Sequence, residues 1–453
     1  MEKQSQPARP LAVPSRRITR FGRISGMTAG VAGNMALNGL AQLAQGKRPK
    51  TRDLLLTPGN INRVADQLAK MRGAAMKIGQ LVSMDTGDVL PPELAQIMAR
   101  LREDAHTMPA PQLKKVLGSQ WPDGWLRQFK SFDVRPIAAA SIGQVHRAML
   151  KDGRDLAIKV QYPGVAQSID SDVANVGVLI RMSGLVPKGI ELAPYLEEAR
   201  LQLHQETDYA REGSFMQRFG ALVSDDPRFA VPEMIPEWST GEILAMTYLA
   251  GQPIEAAEAL PQETRNKIAH DLIDLTLAEL FTFGVMQTDP NFANYRYDPQ
   301  TGRIILLDFG ATSVIDAQTI DHYRRLMRAG MARDAEAMHA AVTDIGFIGP
   351  ETKPGYQEQI VAMMDIVFEA VTRTRAYDFT DMTLSNRMQA SGMALAEDGF
   401  TPPLLPIDVL LVQRKFGGVF LLANRLGATV DVLGILNNRL SGPSYQAEAT
   451  AAE

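Results

Sequence analysis

With 453 residues the chain is long enough for two or three lobes and an ample core, and 45% hydrophobic with 22% charged residues is ordinary for a globular protein. Zero cysteines exclude disulfides, zinc–thiolate centres and cysteine catalysis. The net charge of −4 is uneven: residues 1–50 carry nine Lys/Arg and one acid, a surplus of +8 that leaves −12 on the remainder, which speaks against a broad nucleic-acid surface and fits attraction to an anionic membrane face or partner.

Met1 to Arg20 contains no apolar run of the secretory kind, so no signal segment is expected. Ile24 to Gly46 is uncharged, yet eleven of its 23 residues are Gly, Ser, Thr, Asn or Gln. That polarity argues against spanning a bilayer and leaves lying on one open. Gly22, Gly26 and Gly30 recur at spacing four, which on a helix would let a second helix approach closely; a flexible tether is the competing reading.

Thr57 to Ala105 reads as helical and contains Lys77-Ile78-Gly79-Gln80, whose mid-helix glycine implies close packing against another element. Phe132 to Tyr162 reads as strands. Ala138-Ala139-Ala140-Ser141 makes a small-residue loop, Lys151-Asp152-Gly153 a hairpin turn, and Lys159 sits on the strand that follows. Such a loop brings backbone N–H groups to phosphates, and one ammonium neutralises them. Ile169 to Arg181 and Leu192 to Phe219 read as helices; Glu206 or Asp208 on the second is the candidate carboxylate for Lys159. Val231 to Thr247 reads as two strands, and Met246 to Gly251 as a connector whose Met246 and Tyr248 backbone could meet an adenine edge. Helices are then expected at Gln262–Phe283, Ala317–Arg333, Asp334–Ile345, Tyr356–Thr372 and Ile407–Leu426. His146, His204, His270, His322 and His339 have no metal-ligand spacing and read as structural or surface residues.

Met286 to Thr312 carries the chemistry. Asp289 is followed five positions later by Asn294, and a short apolar strand then delivers Asp308-Phe309-Gly310. A carboxylate and an amide oxygen, Asp308 and Asn294, suit Mg²⁺. Asp289 is left to accept or orient the proton of an attacking group. This matches the D-x-x-x-x-N and D-F-G of protein kinases, with Gln287-Thr288 replacing the usual His-Arg.

Lys77-x-Gly79-Gln80, AAASIGQVH at 138–146, AIKVQYPGV at 157–165, Glu206-x-Asp208, QTDPNFAN at 287–294 and LLDFGAT at 306–312 together closely resemble the AarF/UbiB family, the atypical kinase-like group of ubiquinone biosynthesis. The resemblance spans roughly residues 16 to 440; RKFGGVFLLANRLGA at 414–428 is most similar to the mitochondrial coenzyme Q branch. It implies an α+β, two-lobed protein-kinase-like fold. The parts would be a basic glycine-rich arm (1–50), a helical extension bearing Lys77, Gly79 and Gln80 (51–125), a β-rich N-lobe (126–250) and a mainly helical C-lobe (251–445). The extension would fold over the active site. The resemblance further implies a nucleotide loop at Ala138, Ala139, Ala140 and Ser141, a Lys159–Glu206 pair, and Asp208 engaged with the extension. ATP/ADP and Mg²⁺ are the implied cofactors. Membrane lipids, quinone-pathway intermediates and coenzyme Q biosynthesis proteins are the implied partners, with homodimerisation through the Gly22/Gly26/Gly30 arm. The function expected is an ATPase or small-molecule kinase peripheral to an inner membrane on the cytoplasmic side, or on the mitochondrial matrix face. A protein kinase and a nucleotide-binding scaffold with little catalysis are the alternatives.

Overall fold

The computed structural model describes residues 68, 71–85, 107–183 and 192–442; the basic arm and its glycines lie outside them. The fold is α+β, in two compact units, Met1–Ser214 with Glu233–Tyr248 and Phe215–Pro232 with Leu249–Glu453.

In the first unit, β1 (Phe129–Phe132), β3 (Gly143–Leu150), β4 (Asp155–Gln161) and β6 (Ile243–Thr247) form an antiparallel sheet in the order β1-β3-β4-β6, with β2 (Ala138–Ala139) paired to β3. The hairpin expected at Lys151–Gly153 joins β3 to β4, with Gly153 at φ 95°, where a side chain would be strained. Below the sheet, Trp121, the residue that follows α1, stacks on Phe129 at 5.6 Å and donates its indole N–H to Trp238 O at 3.1 Å, so the largest apolar rings close the core without an orphaned donor. Here α1 denotes the helix Ala110–Gln120. Buried His146 accepts from Gln144 Nε2 (2.8 Å) and donates Nδ1–H to Asp133 O (2.8 Å); burial lowers its pKa, consistent with the structural role expected of it.

After β4 come α2 (Val165–Ser183), α3 (Leu192–Glu206) and α4 (Tyr209–Leu222); α2 packs on α3, and the helix Arg72–Asp85, which carries Lys77, packs on both. One continuous helix was the expectation from Leu192 to Phe219. It breaks at Thr207-Asp208, because the Thr207 hydroxyl turns back to His204 O (2.7 Å) and Asp208 Oδ1 accepts the Arg211 N–H (2.9 Å), starting a new helix. Between Val231 and Thr247 only β6 is a named strand; β5 (Phe229–Ala230) lies just before and belongs to the second unit.

In the second unit, α5 (Gln262–Ala278) runs into a π-helical turn, Glu279–Phe283, that ends at Gly284 with φ 63°. The wide turn leaves Phe281 O to an outside donor, and Arg324 Nη2 supplies it at 2.9 Å. Next, β8 (Val285–Gln287) pairs with β11 (Thr312–Val314), opposing Gln287 to Thr312. A second sheet follows the order β5-β10-β9-β7, where β7 is Gln252–Pro253, β9 Tyr295–Asp298 and β10 Arg303–Leu306. The remainder is mainly helical, α6 (Ala317–Ala332), α7 (Ala335–Ile345), α8 (Pro354–Arg373), α9 (Thr383–Glu397), α10 (Ile407–Arg425) and α11 (Val432–Ser441), with one short antiparallel pair, Tyr377–Asp378 and Thr429–Val430. Helices α9 and α11 were not anticipated, and α10 and α11 pack on α5. Among the described residues no helix is long and apolar enough to cross a membrane.

Candidate active site

Within the first unit, Lys159 lies on β4 between Val145 of β3 and Leu244 of β6. Its ammonium meets both oxygens of Glu212, at 2.7 and 2.9 Å, with the two side chains only 10% and 2% exposed. The partner expected for Lys159 was Glu206; the break at Thr207-Asp208 puts that residue at the end of α3 and gives Glu212, in the first turn of α4, the position facing the strand. Glu206 pairs instead with buried Lys77 at 2.5 Å, and accepts the Ser141 hydroxyl at 2.5 Å on its other oxygen. Among the described residues it is therefore Glu206 that meets the helix carrying Lys77, whereas exposed Asp208 starts α4. That helix lies close to the small-residue loop: a Cβ on Gly73 would come within 3.0 Å of Ser141 O. Gly79 is buried, as close packing requires.

Ala138 and Ala139 form exposed β2, and Ala140 N–H closes the turn on Gly143 O at 2.9 Å. Gly143 is needed there, since a Cβ would stand 2.3 Å from Val160 O. Met246 is a buried member of β6, opposite Ala157. The backbone N–H of Tyr248 is already bonded to Asp155 O (2.8 Å) and that of Thr247 to Glu233 O (2.9 Å). The Tyr248 backbone donor expected for an adenine edge is thus in use; the Tyr248 ring instead lies under Arg147, 4.1 Å away.

Within the second unit, Asp289, Asn294 and Asp308 are brought together. Asn294 Nδ2 donates to Asp289 O (3.0 Å) and Oδ2 (3.3 Å), and Leu307 N–H donates to Asn294 O (3.0 Å), tying the Asp289–Asn294 loop to the end of β10. Asp308 Oδ1 accepts the Gly310 N–H at 3.0 Å. Phe309 is 1% exposed and meets the Phe219 ring at 5.2 Å, anchoring the segment. Gln287 Nε2 donates to Asp289 O at 2.8 Å and to Asp308 O at 3.2 Å, so one amide holds both loops.

Two further cations, missed in the sequence, come from α10. Arg414 Nη2 reaches Asp289 Oδ1 at 3.1 Å. Fully buried Lys415 donates to Glu279 Oε1 (3.2 Å), Gln287 Oε1 (3.3 Å) and Tyr295 OH (3.0 Å). Burial pushes the Glu279 carboxyl up to about 7 against the pull of Lys415. Burial works against the Lys415 charge too, but Glu279 and Tyr295 together outweigh it and the ammonium is held above its ordinary value. Gly418, one turn on, lies against Pro290, where a Cβ would stand 2.2 Å from Pro290 Cβ. The one signal available was the pair Arg414-Lys415 in the middle of a helix whose apolar residues run around more than one face.

Residues 100–342 match the description of the ABC1 atypical kinase-like domain. The chain is 38% identical over 433 residues to the atypical kinase COQ8, mitochondrial, of Saccharomyces cerevisiae, covering 95% of this chain and 86% of that one. It is 35% identical over 435 residues to the atypical kinase COQ8B, mitochondrial, of Danio rerio, covering 94% and 69%. Among solved structures, Rv3197 of Mycobacterium tuberculosis, determined in complex with erythromycin, shares the fold at TM-score 0.59 and 21% identity, over 93% of this chain and 100% of that one. The chain is thus a kinase-like enzyme and belongs to the ABC1 atypical kinase-like family.

Proposed function

We propose that the protein is an atypical kinase-like ATPase that binds Mg-ATP, supports ubiquinone biosynthesis at a membrane surface, and acts on or with lipid or small-molecule intermediates rather than proteins. The observation that carries the nucleotide part is that one amide, Gln287, holds the carbonyls of Asp289 and Asp308 together, while Asn294 donates to the same Asp289 carbonyl. The donor set fits a magnesium ion: Asn294 turns its NH₂ toward Asp289, which directs its oxygen elsewhere, and Asp308 adds a carboxylate. Asn294 and Asp308 would hold the metal, which supplies charge neutralisation for the transferred phosphoryl group. Arg414 and Asn294 each take one oxygen of Asp289, fixing the carboxylate plane so that it can orient an attacking hydroxyl or water. In the other unit, Glu212 fixes the Lys159 ammonium for the nucleotide phosphates, beside the loop of Ala138, Ala139, Ala140 and Ser141. Lys77, Gly79 and Gln80 form the regulatory extension in this reading, with Glu206 as the carboxylate that Lys77 binds. The ubiquinone role draws on the family resemblance and on the COQ8 relatives. Membrane attachment draws on the +8 surplus of residues 1–50, and the peripheral inner-membrane location on the family resemblance.

The test is Mg²⁺-dependent ATP hydrolysis by the full chain. Asp308→Asn is expected to lower kcat at least ~10³-fold, the scale of removing a principal charge-stabilising group. Turnover within ~3-fold of the parent would refute the metal assignment.

A further inference from the structure

We propose that Gln287 is a positioning residue for both the Asp289 loop and Asp308, and that Lys415 sets which way its amide points. This rests on the phosphoryl-transfer reading above.

A glutamine amide has two nearly isosteric orientations, and its neighbours decide between them. On one side of Gln287 are two acceptors, the carbonyl oxygens of Asp289 (2.8 Å) and Asp308 (3.2 Å). On the other is Lys415 Nζ (3.3 Å), which can only donate. The ammonium therefore selects the orientation with Oε1 toward itself and NH₂ toward both loops. Lys415 is in turn fixed by ion pairing with Glu279 (3.0 Å) and by Tyr295 OH (3.0 Å). All four side chains are buried, so water does not compete for the amide.

This is a distinct solution to a problem that the sequence exposes: Gln287 stands where kinases of the D-x-x-x-x-N type have histidine. An imidazole carries one N–H on each nitrogen at most, whereas the amide NH₂ supplies two donors from one atom. Gln287 uses both on the two carbonyls, and Lys415, 128 positions away in sequence, keeps them there.

The experiment measures the Mg²⁺ concentration for half-maximal ATP turnover, kcat, and the affinity for a fluorescent ATP analogue without metal. Three variants of the full chain are compared with the parent. Gln287→Glu replaces the donor with an acceptor facing two carbonyls. It is expected to raise the Mg²⁺ requirement 10- to 100-fold and to lower kcat by a similar factor, the usual range for groups behind a metal site, with metal-free nucleotide affinity changed less than ~3-fold. Two double variants share a neutral core. Glu279→Gln with Lys415→Met removes the donor to Oε1, and Glu279→Gln with Lys415→Gln restores an N–H there. The Met form is expected to need about tenfold more Mg²⁺ than the Gln form.

A folded Gln287→Glu protein with parental Mg²⁺ dependence would overturn the proposal. Equal Mg²⁺ requirements in the two double variants would overturn it as well, and that comparison decides the matter should Gln287→Glu not fold. Absence of Mg²⁺-dependent turnover in the parent would instead sink the phosphoryl-transfer reading. Loss in Asp308→Asn without change in Gln287→Glu leaves that reading standing and removes only this inference.

Discussion

Replacing Gly418 by alanine adds one methyl group at a place where the structure has no room for it. The new Cβ would stand 2.2 Å from Pro290 Cβ and 2.3 Å from Pro290 Cγ. Carbon atoms in contact prefer ~3.5–4.0 Å, so helix and loop must separate by more than ~1 Å. A proline ring cannot rotate out of the way, and Pro290 is bonded directly to Asp289. Overpacking of this kind costs ~1–3 kcal/mol, partly offset by the ~1 kcal/mol that alanine gains over glycine inside a helix. Stability should therefore fall by no more than ~2 kcal/mol. A displacement of ~1 Å at a catalytic group, by contrast, lowers rates on the order of 10²-fold. The neighbouring Gly417 supplies the control, because a Cβ there meets nothing within 4 Å. Gly417→Ala should raise the melting temperature slightly and leave turnover as it is. Thermal melts and ATPase kcat at saturating Mg-ATP on both variants decide the matter. If Gly418→Ala turns over as fast as Gly417→Ala, α10 does not set the catalytic loop and the reasoning is wrong.

Glu212→Gln should cost ~3–5 kcal/mol in stability or show a sharply weakened nucleotide affinity, since it leaves the Lys159 ammonium without its bidentate partner. Glu206→Gln leaves the Lys159–Glu212 contact in place; fluorescent-nucleotide titration of the two should separate them, and equal losses would count against the assignment. Acid should weaken the second unit through Asp226 and Asp274. The Arg228 hydrogen bonds hold Asp226 below its ordinary value; burial pushes Asp274 up, but Arg439 and Arg228 together outweigh it and the net shift is downward. With folded values depressed, their contribution is complete above the unfolded value near 3.8 and is lost as pH falls through the lower folded values. Arg439→Met should flatten the fall in melting temperature between about pH 5 and pH 2, and an unchanged slope would refute the assignment.

The two-lobed kinase-like fold was legible because its motifs are local: a strand, a hairpin turn and a loop can each be read from neighbouring residues. Asp289, Asn294 and Asp308 were legible for the same reason, each being tied by spacing to a strand end. The partner of Lys159 was not. Glu206, Asp208 and Glu212 lie within seven positions, and choosing among them needs the helix break at Thr207-Asp208, a competition between side-chain and helical hydrogen bonds that periodicity does not register. Arg414 and Lys415 were hidden for another reason. A charged residue on a helix is ordinarily solvated, and only tertiary packing, from more than a hundred positions away, buries these two against Asp289 and Glu279. The break in the helix Gln262–Phe283 was invisible too, since a π turn preserves the apolar run while shifting its phase.

The reliance of the Asp289 loop on α10 also sets a timetable for biosynthesis. At ~5–20 residues per second, the ribosome reaches Arg425 roughly 7–27 s after it has polymerised Asp289. Through that interval the nascent loop lacks the guanidinium of Arg414, and the Glu279 carboxyl lacks the ammonium that accompanies it in the finished fold. A polypeptide ended at residue 342, where the family match stops, would remain permanently in that unfinished condition.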